Sequence, residues 1–248
     1  MKGTEKMNDE MLLILLAGQS NMAGRGEPEA DDLIPVENVY ALNENMKWVP
    51  AIEPVTFDRE NIRGVSPGRT FAKYISKLFP DRKIGIIPAA VGGTPISSWK
   101  INGKDIHSDK HPYDDAVIMA KNAQRYGRII AVLWHQGEND AAQKNTEYAK
   151  DLTEVVNNFR KDLDLAPDIP FICGELGRFL STETFARELI NQATQNVVKT
   201  LHCMGYVTTE NLTDKGDALH FNTQSQKILG ERYFKEFCRL KKKSNKST

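Results

Sequence analysis

Apolar residues in this chain occur in short unbroken runs, separated by longer stretches in which they recur every three or four positions. The runs lie at 11–16, 84–88, 129–134, 169–173 and 205–208. Runs without strict alternation suit strands covered on both faces, as in a parallel sheet. The stretches 67–79, 114–126, 146–163 and 182–201 have helical spacing; Phe71, Ile75 and Leu78 share one face of the first. A last helix is expected from Thr223, with Thr223 and Gln226 as N-cap and N3 of a capping box. Its apolar stripe is Ile228, Leu229, Tyr233, Phe237 and Leu240. Strands alternating with helices predict an α/β protein: a central, mostly parallel five-stranded sheet between two helical layers, with right-handed crossovers. No repeat, linker or composition break divides the chain, so one domain is expected over 1–248, with a core at about 11–240 and a solvated basic tail at 241–248. The stretches 24–66 and 92–113 carry no predicted element, and loops of that length are usually functional.

Composition narrows the function classes. At 248 residues the chain can bury a full core without staples. Lys+Arg and Asp+Glu balance at 33 each, which leaves no electrostatic footprint for nucleic acid or an anionic membrane. The three cysteines, Cys173, Cys203 and Cys238, lack paired spacing and are expected to be buried free thiols. His107 and His111 are four apart, as two metal ligands on a helix would be, but they sit in HSDKHPY, where Pro112 and the polar composition predict a loop. No metal and no cofactor are expected. The apolar run at 11–17 is short and preceded by Asp9 and Glu10, so neither a signal peptide nor a membrane span is expected, and a cytoplasmic location is.

Four segments carry candidate chemistry, three of them at the C-terminal ends of expected strands. The first strand leads into GQSNMAG; Ser20 there is a nucleophile or a helix cap. The second leads into AAVGGT, where a backbone N–H of the Gly92-Gly93 pair is an oxyanion donor or part of a tight turn. The third leads into WHQGEND, whose Gln136 has a neutral amide able to donate to developing negative charge. Glu138 and Asp140 hold a loop or one another, and Asn139 and Asp140 also suit a helix start. Before the last helix stands DALHF. Asp217 there is spaced to accept from one ring nitrogen of His220, leaving the other for a nucleophile; the alternative is a solvated turn. Each signal is weak alone. Together they fit an α/β sheet, which gathers strand ends that are far apart in sequence.

GQSNMAGRG, AAVGGTPISSW, WHQGEND and DALHF closely resemble the blocks of the SGNH hydrolase superfamily, and within it the sialate O-acetylesterase and acetylxylan-esterase-like branch, carbohydrate esterase family six. The resemblance covers roughly 11–237. It implies a flavodoxin-like α/β/α fold and a serine acetylesterase acting on a small acetylated carbohydrate, xylo-oligosaccharide or sialic-acid-type. It implies Ser20 as nucleophile, His220 as base and Asp217 orienting the base. The implied oxyanion hole is the Ser20 backbone, an N–H of Gly92 or Gly93, and the Gln136 side chain. Gln19, Asn21, Glu138 and Trp99 are implied to support the site or contact substrate. Trp48, Trp99 and Tyr113, in or beside the long loops, are candidates to stack on sugar or to be core. SPGRTFA resembles a family segment in which an apolar residue is expected where this chain has Arg69. Two rival readings remain: an esterase of lipid, thioester or aryl substrates, and a glycan-binding protein with a dead site.

Overall fold

The computed structural model describes residues 10–179 and 184–244. Strands β1 (Met11–Gly18), β2 (Val39–Leu42), β3 (Trp48–Pro50), β4 (Ile84–Pro88), β5 (Gly127–His135), β6 (Phe171–Gly174) and β7 (Met204–Val207) form one sheet in the order β3-β2-β4-β1-β5-β6-β7. All pairings are parallel except β2 with β3. The sheet thus has seven strands where five were expected. The two additional strands lie inside the 24–66 stretch, together with a 3-10 turn at Ala30–Leu33. They are four and three residues long, too short to display a period, and β3 is mostly exposed at the sheet edge. The other five strands have the spatial order of a flavodoxin-like sheet.

Helices α1 (Ser20–Ala23), α2 (Pro67–Leu78), α3 (Pro112–Ala123), α4 (Glu138–Ala142), α5 (Tyr148–Asp162), α6 (Thr184–Thr200) and α7 (Thr223–Ser244) complete the described chain. Alternation along β1 divides its side chains between two cores. Leu13, Leu15 and Ala17 pack with α3, α5 and α6, whereas Leu12, Ile14 and Leu16 pack with α2 and α7. Every residue of β1 is buried, which is why its sequence reads as a continuous apolar run.

Several local expectations change. Asn222, not Thr223, caps α7: its Oδ1 accepts the Ser225 N–H at 2.9 Å. Gln226 is fully buried and reaches the Asn21 carbonyl at 3.1 Å instead of closing a capping box. Lys241, Lys242 and Lys243 belong to the last turn of α7, where cations suit the helix C-terminus, and Lys241 pairs with Asp168 at 2.7 Å; residues 245–248 lie outside the described chain. Cys173 is buried, but Cys203 and Cys238 are only partly so. His111 stands at the N-cap position of α3, which Pro112 opens. Arg69 is buried at 7% exposure because the 24–66 stretch wraps it: the guanidinium donates to the carbonyls of Ala51, Asp31 and Ile34 and lies 3.6 Å from the Asp32 carboxylate. An apolar side chain there would leave those carbonyls unpaired.

Candidate active site

Strands β1 and β5 end side by side, with Gly18 opposite His135. Gly18 has φ +124, and a Cβ there would collide with the His135 carbonyl, so the close approach needs glycine. The chain then turns into α1 and places Ser20 beyond the sheet, at the point where strand order reverses. From the other end of the sequence, the loop ahead of α7 brings His220 to it. Ser20 Oγ and His220 Nε2 are 3.0 Å apart, and His220 Nδ1 is 2.7 Å from Asp217 Oδ2. Asp217 Oδ1 also accepts the backbone N–H groups of Leu219 at 3.0 Å and His220 at 2.7 Å, which locks the turn on which the imidazole stands. An Asp217 carboxylate at Nδ1 selects the tautomer whose Nε2 lone pair faces Ser20.

Burial lowers the His220 pKa, outweighing the Asp217 hydrogen bond and charge that raise it; Arg25 and Lys215 lower it further. Burial raises the Asp217 carboxyl, but the backbone and ring of His220 and the Leu219 N–H bring it below the usual carboxylate value. Ser20 and His220 line a cavity of ≈ 310 Å³, together with Gln19, Arg25, Arg59, Ile62, Gly92, Gly93, Glu138, Asn139, Ala142 and Leu219. Two larger hollows, of ≈ 640 and ≈ 610 Å³, lie away from these residues, one around Trp48 and Tyr126, the other around Cys203 and Arg239. Among the described residues, no group of three or more His, Cys, Asp or Glu side chains is placed to hold a metal. Nor is any described helix long and apolar enough to cross a membrane.

The model of the carbohydrate esterase family of sialic acid-specific acetylesterases matches residues 10–239, nearly the whole chain. The chain belongs to this family. A "probable carbohydrate esterase" of Arabidopsis thaliana is 30% identical over 254 residues, covering 91% of each chain. An X-ray structure of an Arabidopsis thaliana protein superposes with a TM-score of 0.80 at 26% identity, covering 93% of this chain and 98% of the other. The crystal structure of NanS, at 19% identity and a TM-score of 0.73, covers 95% and 98% and shares the fold.

The remaining site expectations divide. Asn21, directly after Ser20, binds the peptides on both sides of His220: its Nδ2 donates to the Leu219 carbonyl at 3.1 Å, and its Oδ1 accepts the Phe221 N–H at 3.1 Å. Nδ2 also donates to Glu138 Oε1 at 2.5 Å. Burial raises the Glu138 pKa against the Asn21 hydrogen bond, its own backbone N–H and the Arg187 charge. Gln19 Oε1 accepts from Gln136 Nε2, the Gly137 N–H and the Asn139 N–H at 3.3–3.4 Å, so it shapes the turn after β5.

Gln136 departs from expectation. Its Nε2 donates to Asp140 Oδ2 at 2.5 Å and the Thr94 carbonyl at 3.0 Å, while its Oε1 accepts from Tyr148 at 3.0 Å. Its amide hydrogens are therefore committed within the protein, and Gln136 does not line the cavity. The Gly92 N–H is likewise taken, by Asp58 at 3.1 Å. The backbone N–H groups of Ser20 and Gly93 have no acceptor among the described residues. Trp99 is fully buried, donating to Thr94 Oγ1 at 3.0 Å and packed edge-on against Trp134, so it is core rather than a sugar platform. Tyr113 is core as well, with its hydroxyl on Asp162. Trp48 packs edge-on against Tyr126, away from Ser20. His135 is fully buried and neutral, its pKa pushed down by burial to about 3. The residues that sequence reasoning missed are Arg25, Asp58, Arg59 and Asn139. Arg25 lies within GQSNMAGRG, whereas the only signal for Asp58 and Arg59 was the length of the stretch in which they lie.

Proposed function

We propose that the protein is a serine acetylesterase that removes O-acetyl groups from sugars. The observation that carries this reading is the hydrogen-bonded chain Ser20 Oγ, His220 Nε2, His220 Nδ1, Asp217 Oδ2, with links of 3.0 and 2.7 Å. His220 Nε2 takes the Ser20 proton as Oγ bonds to the acetyl carbon, and the carbonyl π pair moves onto oxygen. The N–H groups of Ser20 and Gly93 receive that oxyanion, in the role that usually contributes most to such catalysis. Collapse expels the sugar oxygen, which takes the proton back from His220. Water then releases acetate by the same steps. No metal or cofactor enters the reaction.

The small cavity, edged by Arg59 and Asn139, suits a short acyl group on a polar alcohol better than a lipid chain. The family model supports carbohydrate, with sialic-acid-type and xylo-oligosaccharide acetates as the two substrate classes to compare. The test is acetate release from a panel of acetylated sugars, alongside fluorophosphonate labelling. Wild type should release acetate and label at Ser20. Ser20→Ala should fold and lose about 10⁴-fold or more in turnover. Activity within about tenfold of wild type would remove Ser20 from the nucleophile role. Sugar binding without any adduct would favour a glycan-binding protein instead.

A further inference from the structure

The stretch between Gly24 and Ser66 returns to the cavity at Asp58 and Arg59, outside every block that carries the family resemblance. Asp58 is buried at 3% exposure, and its Oδ2 takes two donors: Nη2 of buried Arg25 at 2.7 Å and the Gly92 N–H at 3.1 Å. Arg59 is exposed, and its Nη2 donates to the Gly92 carbonyl at 3.2 Å. Both backbone polar groups of Gly92 are thus held from the same stretch. A Cβ at Gly92 would strike Arg25 and lie 2.7 Å from Asp58 Oδ2, so only glycine lets the pair approach.

The Gly92 carbonyl and the Gly93 N–H share one planar trans unit, in which they point in opposite directions. Holding the carbonyl on Arg59 fixes where the Gly93 N–H points. A cationic donor on the carbonyl also polarises the unit and strengthens its N–H as a donor. The Gly93 N–H has no acceptor among the described residues, and Gly93 lines the cavity of Ser20 and His220. We propose that Asp58 and Arg59, backed by Arg25, are positioning residues that orient the Gly92–Gly93 peptide so that the Gly93 N–H meets the oxyanion. This rests on the esterase reading above and assigns the donor to Gly93, since the Gly92 N–H is occupied by Asp58.

The experiment uses a neutral ester, 4-nitrophenyl acetate, so that Arg59 has no substrate charge to bind. Wild-type turnover that disappears in Ser20→Ala first establishes the esterase reading; without it, that reading and this proposal fall together. Arg59→Ala should then lower kcat by about tenfold, less than the loss of an oxyanion donor itself, with KM little changed. Inhibition by phenylboronic acid, whose serine adduct resembles the tetrahedral intermediate, should weaken by a similar factor. Arg59→Lys, which retains a cationic donor, should recover most of both. Asp58→Asn should move kcat and boronate inhibition in the same direction; if it fails to fold, the exposed Arg59 pair decides. Unchanged kcat and boronate inhibition in Arg59→Ala, with wild type active, would overturn the proposal alone. So would a loss confined to KM on an acetylated sugar, which would make Arg59 a substrate contact.

Discussion

At the scale of the residue, the environment of His220 decides the pH dependence. The imidazole must be neutral to accept the Ser20 proton. A carboxylate beside it favours the charged form, and from sequence alone that suggests a rise in activity near or above neutrality. The structure reverses the direction: burial outweighs Asp217, and the His220 pKa is lowered. The acid limb of kcat/KM is therefore expected below the ordinary imidazole value of about 6.5, with the plateau already reached at neutral pH. A pH–rate profile checks this. Asp217→Asn should lower turnover by orders of magnitude even on the plateau, because the tautomer is no longer selected. Gln136→Ala tests a different point. As an oxyanion donor it would cost turnover alone, but its amide serves buried Asp140 and the Thr94 carbonyl. Its removal should cost about 1–3 kcal/mol of stability as those groups lose their partner. A thermal melt unchanged from wild type, with turnover reduced, would return Gln136 to the oxyanion hole.

At the scale of the element, the site is an alignment of two turns nearly two hundred positions apart, and Asn21 fastens them. Its side chain holds the peptides flanking His220, and its carbonyl receives Gln226 from α7. Asn21→Ala should lower both melting temperature and kcat, since the imidazole loses its register with Ser20. Glu138 acts on this fastening through Asn21 and does not touch His220. Glu138→Gln keeps an oxygen to accept from Asn21 and removes a buried carboxyl whose ionisation is unfavourable. Its turnover should stay far closer to wild type than that of Asp217→Asn. The reverse order in a side-by-side kinetic comparison would transfer the third triad position to Glu138.

At the scale of the molecule, the sheet supplies the site and the 24–66 stretch encloses it. That stretch is tied to the body by Arg69 and braced within by Glu53, which is buried and accepts the N–H groups of Val55 at 2.9 Å and Ser66 at 3.2 Å. Burial raises the Glu53 pKa from 4.5 to about 7, against those hydrogen bonds and Arg69. Between those values the folded state retains a proton that the unfolded chain has released. Its contribution to stability is present at low pH and declines as pH rises through the window from 4.5 to about 7. Melting curves for wild type and Glu53→Gln across that window should show wild type losing stability relative to the variant as pH rises. Parallel curves would mean that folding does not raise the Glu53 pKa.

The amino-acid sequence by itself determined the parallel α/β sheet, because strands buried on both faces must be continuously apolar, and β1, β4 and the 129–134 part of β5 are. It also marked which strand ends are candidates to carry chemistry, because polar residues such as Ser20 and His135-Gln136 close behind such runs have few places to lie but the end of the sheet. Tertiary structure alone decided the rest. Strands β2 and β3 are too short for a pattern. Trp99 and Tyr113 read as platforms or core until their neighbours were known. Arg69 made no sense until three carbonyls from another segment surrounded it. The same holds for Gln136, whose amide is engaged by Thr94 and Asp140, and for Asp58 and Arg59, which meet Gly92 across more than thirty residues. Periodicity records whether a residue is buried, which is local information. Which donor meets which acceptor depends on where the folded chain places two distant segments, and no local pattern encodes that.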